Sequence, residues 1–147
     1  MGTTIVAVIG TLLGAVVAGG MQHLVSMSAR RDRDRQARME AVVLLLGHAT
    51  DHRRMQYLKH VARREEQTDT YETRKARYEA RSAMTKALTA VRLSGVNEDL
   101  VALSAALVTA STALADAPSL DRAAVDAAGD DARLAHAALE AAAARAI

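Results

Sequence analysis

Hydrophobic and polar positions fall into three regimes along this chain. Residues 1–29 contain no Asp, Glu, Lys or Arg, and residues 5–25 are almost continuously apolar. At about 1.5 Å per helical residue, that stretch is long enough to cross a hydrocarbon core of about 30 Å. Residues 30–40 then alternate in charge sign, and from Ala41 onward apolar residues recur at helical spacing. Nothing breaks a helix between Met27 and about Gln67, and residues 65–70 form a polar first corner. A second helix is expected over about residues 69–93, closed by Ser94-Gly95-Val96-Asn97. Gly95 suits the left-handed position after a helix, and Asn97 suits the cap of the next. Glu98 and Asp99 complement the dipole of that third helix in its first turn.

The third helix shows a seam of Leu100, Leu103, Leu107, Ala110 and Leu114 at alternating three- and four-residue steps. Pro118 and Ser119 are expected to open the last helix, whose seam reads Val125, Ala128, Ala132, Ala135 and Leu139. Gly129-Asp130-Asp131 is a candidate break within it, and Gly47 a candidate bend or close-packing point in the first. The expected fold class is all-α. An N-terminal transmembrane helix (residues 1–29) precedes a cytoplasmic domain (residues 30–147) built as an amphipathic up-and-down bundle or as helical hairpins.

Composition supports the helical reading and limits the core. Phe and Trp are absent, three tyrosines are the only aromatics, and one proline, Pro118, is present. A core of Ala, Leu, Val and Met buries little area per residue, so a partner, a second copy or the membrane is expected to help hold it. No cysteine is present, which excludes disulfides and thiol chemistry. Residues 30–92 carry sixteen basic and nine acidic side chains, and residues 93–147 three basic and eight acidic. Basic early helices beside acidic late ones would bias the arrangement of the bundle.

The same charges set topology. Arg30, Arg31, Arg33, Arg35 and Arg38 follow the apolar run at once. Such a belt stays on the cytoplasmic side and attracts anionic lipid, which implies an N-terminus outside and a C-terminal domain in the cytoplasm. The belt also lies on the wrong side of the run for a cleaved signal peptide. Within the run, Gly10, Gly14 and Ala18 repeat every four residues and Gln22 continues their face. This spacing suits helix–helix association in the membrane, hence a homo-oligomer.

Candidate chemistry is sparse. No nucleophile–base pair, phosphate-cradling glycine loop or carboxylate dyad is legible, so no catalytic residue and no cofactor is assigned. His48 and His52, four apart with Asp51 between them, approach a helical metal-binding pattern but lack an evident third ligand, and polar helix-face histidines are the simpler reading. Arg53, Arg54, Arg63, Arg64, Arg74 and Arg77 form a basic set able to contact phosphate, interleaved with acids. Nucleic acid is therefore a less favoured partner than membrane lipid or an unidentified protein.

Three stretches carry a family likeness. Gln22-His23-Leu24 precedes the arginine tract, and His52-Arg53-Arg54-Met55-Gln56-Tyr57 supplies a His-Arg-Arg run followed by an aromatic. Arg81-Ser82-Ala83-Met84-Thr85 then leads into an apolar segment. In these features and in its layout the chain resembles the KilB-like small membrane proteins of actinobacterial plasmids. The resemblance implies a role in plasmid transfer or spread, with toxicity when unregulated, and supplies no catalytic residues. The expected function is a non-enzymatic single-pass scaffold. A membrane-permeabilising, holin- or toxin-like protein and a membrane-tethered DNA-binding module are the alternatives.

Overall fold

The computed structural model describes the backbone of residues 2–146 and the side-chain surroundings of residues 27–146. It contains four helices: α1 (Gly2–Arg64), α2 (Tyr71–Leu93), α3 (Glu98–Asp116) and α4 (Arg122–Ala146). No strand occurs among the described residues. The chain divides into two compact units, Met1–Gln36 and Ala37–Ile147. The face of Gly10, Gly14, Ala18 and Gln22 lies outside the residues whose side chains are described. Arg30, Arg31, Arg33, Arg35 and Arg38 are all exposed.

The second unit is an up-and-down four-helix bundle, formed because each connection is too short to do anything but reverse the chain. α1 ends in a left-handed turn. The Gln67 amide donates to the Ala62 carbonyl at 2.8 Å, with Glu66 at φ 54°, the place where glycine is usual. Thr70 caps α2 by accepting from the Thr73 amide. Gly95, at φ 75°, follows the end of α2, and the Asn97 side chain accepts from the Leu100 amide at 2.9 Å, as its sequence predicts.

The start of α4 differs from expectation. Pro118 and Ser119 lie in a turn closed by the Asp121 amide on the Pro118 carbonyl, and Asp121 caps the helix by accepting from the Ala124 amide at 3.0 Å. Gly129 does not split α4, which runs unbroken from Arg122 to Ala146. Gly47 receives no close neighbour, since a Cβ there would meet nothing within 4 Å.

The core changes character along the bundle. Near the end where α1 joins it, Val42, Leu45, Met84, Val91, Leu100, Leu107 and Leu139 form one buried apolar cluster. Toward the other end polar residues join the buried set: His52, Gln56 and His60 on α1, Ser111 on α3 and Ser119 in the turn, beside apolar Leu114, Val125 and Ala132, while Ser104 is buried between Leu100 and Leu107. The seams of α3 and α4 correct accordingly. Ser104, Ser111 and Gly129 are buried, whereas Leu103, Ala110, Ala128 and Ala135 are half-buried. α3 is the one helix among those described that is long and apolar enough to cross a membrane. Here its Leu100, Leu107 and Leu114 are fully buried within the bundle.

Candidate functional site

The basic residues of α1 and α2 do not form one patch. Arg53 turns toward α4, donating to the Ala132 carbonyl at 3.0 Å and, at 3.3 Å, to Nδ1 of His136. Burial, followed by the neighbouring Arg133, pushes the Arg53 guanidinium below its ordinary range, and burial likewise lowers His136. Arg54 and Arg64 are exposed and stand apart from the cleft that gathers the others. Arg63, Arg74 and Arg77 do converge, joined by Lys59 and Arg81, in a cleft of about 270 Å³ between α1, α2 and the end of α3.

The turn of the chain at residues 65–70 builds this cleft. It places Asp69 beside α2, where Arg77 reaches both carboxylate oxygens at 2.8 and 2.7 Å and Arg74 donates to the Asp69 backbone carbonyl at 3.1 Å. The Arg77 hydrogen bond is the main cause of the lowered Asp69 pKa. Lys59 donates to the Ala115 carbonyl at 2.6 Å. Burial, and then repulsion from Arg63 and Arg77, lowers its pKa. Among the described residues Lys59, Arg63, Arg74 and Arg81 make no ion pair. The floor of the cleft is Gln56, 4% exposed, whose Oε1 has no hydrogen-bond partner.

The histidines separate into three roles. His60 is fully buried and doubly bonded: one ring nitrogen meets the Leu114 carbonyl and the other the Ser119 hydroxyl, each at 2.8 Å. The carbonyl can only accept, so Nε2 carries the proton and Nδ1 accepts from Ser119. His52 is equally buried, yet neither ring nitrogen has a bonded partner. Burial lowers its pKa, opposed by the Ser111 backbone, which faces the ring without completing a hydrogen bond. His48 is half-buried in the groove between α1 and α2. His52 is therefore a core residue and not the polar-face histidine its sequence suggests. No group of three or more metal-ligating side chains occurs among the described residues.

Tyr57 was legible only as part of a motif, and its surroundings give it a place. Its ring lies over Gly129, where a Cβ would overlap the hydroxyl, and Arg133 donates to that hydroxyl at 3.1 Å. Arg133 also pairs with Asp130. The glycine that looks like a helix break is the seat of an aromatic from another helix.

Fold and surface together define an all-helical, four-helix module with an apolar end, a polar end and a cationic cleft at the polar end. Residues 39–147 match the family described as KilB plasmid transfer protein, and the chain belongs to that family. Protein KilB of Streptomyces lividans is 39% identical over 93 residues, a match covering 62% of this chain and 63% of that protein. The match thus spans somewhat less than two thirds of the relative's length. No solved structure matches the chain.

Proposed function

We propose that this protein is a single-pass membrane scaffold, without catalytic activity, that acts in plasmid transfer or spread. The family match across residues 39–147 supports the process, and the uncharged first 29 residues followed by an arginine belt support the anchor. In this reading the belt holds the four-helix module at the cytoplasmic face, where the module recruits or regulates a protein of the transfer machinery. The anchor helices self-associate along Gly10, Gly14 and Ala18, which multiplies the copies of the module at one point.

Topology is the first test. A reporter fused after Ile147 is expected to be active in the cytoplasm and to sediment with the membrane. A C-terminus reported outside, or a full chain that stays in the soluble fraction, defeats the proposal. Residues 1–38 expressed alone are expected to be harmless. Toxicity from that segment alone would instead identify a membrane-permeabilising protein.

A further inference from the structure

Two of the three tyrosines, Tyr71 and Tyr78, are 68% and 70% exposed on α2. Each presents a flat apolar face with a polar hydroxyl tip to solvent. They are seven residues apart, two turns of helix, and so share one face, with Arg74 and Lys75 between them. Arg74 and Tyr78 also line the cationic cleft, so the tyrosine face and the cleft form one continuous surface. Across the two depressions, six cationic side chains stand against three carboxylates.

Folding has brought like charges together here. Burial, and after it Arg63 and Arg77, lowers the Lys59 pKa against the opposing pull of Asp116 and Asp69, and four of the cations lack an ion-pair partner among the described residues. A polyanion relieves that repulsion. The rings add a requirement that a simple anion does not meet: flat apolar faces at the spacing of the helix, open to solvent. Cations that follow a phosphate backbone, combined with aromatic faces that stack bases, are what an unpaired strand needs. Duplex nucleic acid would use the cations and leave both rings idle.

We infer that the α2 face of Tyr71 and Tyr78, together with the adjoining Lys59–Arg63–Arg74–Arg81 cleft, binds single-stranded nucleic acid. The bases stack on the two rings and the phosphates lie along the cleft. This site differs from the Arg53–Arg54 pair, since Arg53 is committed to α4.

The full chain, in detergent or nanodiscs, is titrated into fluorescein-labelled oligo(dT) of about 12 nucleotides, within the range such sites cover. Parallel arms use oligo(rU), a duplex of equal length, and label-bearing vesicles of phosphatidylglycerol. Binding of oligo(dT) or oligo(rU) above the duplex is expected, and whichever strand binds more tightly names the backbone preferred. Tyr71→Ala and Tyr78→Ala should each weaken that binding about 5- to 150-fold, the range for one lost stack, while the Tyr→Phe variants retain it. Arg74→Gln and Arg81→Gln should each lower the salt slope by ~0.7. All four residues are exposed or line an open cleft, so the bundle is expected to persist, checked by unchanged helical circular dichroism. Three results overturn the proposal: no binding of either strand at low salt, binding that ignores both Tyr→Ala changes, or tighter binding to vesicles than to either strand.

Discussion

The two ends of the bundle are made from the same four helices with opposite chemistry. At the end where α1 joins, Val42, Leu45 and Ala49 face Leu100, Leu107 and Leu139 in a continuous apolar cluster. Further along the same face of α1 the buried positions are His52, Gln56 and His60, and α3 answers with Ser111 beside Leu114. The three- and four-residue spacing continues without interruption, so position on the helix face decides burial, and side-chain polarity does not. The difference in chemistry makes a difference in stability. One end gains from burial of apolar area. The other leaves both His52 nitrogens, Gln56 Oε1 and the Ser111 hydroxyl without partners, each disfavoured by lost hydration. Leu114, Val125 and Ala132 supply apolar burial at that end as well. The polar end carries the cationic cleft and the exposed tyrosines, where a ligand surface can tolerate lower stability.

The largest expected contrast is between core truncations. Leu45→Ala should destabilise the bundle by about 2–5 kcal/mol in urea unfolding. Ser111→Ala, at the polar end, should be neutral or stabilise by up to about 1 kcal/mol, because its hydroxyl has no partner to lose. Equal losses at the two positions would dissolve the distinction between the ends.

The next contrast lies within the polar end. His60→Leu should cost about 1–3 kcal/mol, since it leaves the Leu114 carbonyl and the Ser119 hydroxyl buried and unpaired. His52→Leu should raise stability by about 1 kcal/mol, because it removes an unpartnered buried ring. A loss on His52→Leu as large as that on His60→Leu would mean that His52 makes a bond the static arrangement does not display.

Acid should weaken the polar end first. His52, His60 and His136 all bind a proton more weakly in the folded chain than at the ordinary histidine value of 6.5, chiefly through burial. The unfolded chain therefore takes up protons earlier as pH falls. Stability is full above that value, is lost as pH drops below it, and the loss levels off under the lowered folded values. The urea midpoint should fall between pH 7.5 and pH 5, and less so in His52→Leu. A midpoint unchanged across that interval would refute the direction assigned to these groups.

The smallest contrast is between two glycines. Gly47→Ala should stabilise by up to about 1 kcal/mol, because the helix gains a better former and nothing is displaced. Gly129→Ala should forfeit that gain by displacing the Tyr57 ring from Arg133, with tyrosine fluorescence reporting the move. Equal gains at the two sites would show that Tyr57 has no stake in Gly129.

Local signals were legible wherever the chemistry itself was local. The Gly95 turn, the Asn97 cap and the corner after α1 follow from backbone preferences within a few residues. The leucines of α3 were found because periodicity marks a face. The same method overlooked Ser104 and Ser111, since a scan for apolar residues cannot register a buried hydroxyl. Gly129 was misread for a related reason: its function depends on Tyr57, 72 residues earlier in the chain. The arginines posed a harder problem. Six were grouped by sequence proximity, and only Arg63, Arg74 and Arg77 of them share the cleft, which also recruits Lys59 and Arg81.

By itself, the amino-acid order determined the helices, their caps and turns, the split between an uncharged leader and a charged remainder, and the family. These rest on interactions between residues a turn or two apart, which the chain carries wherever it goes. Tertiary packing alone decided which cations meet, which histidines lose water, and which tyrosines stay open. Those outcomes depend on the rotation of each helix against its neighbours, a quantity set by the whole bundle and by no single segment.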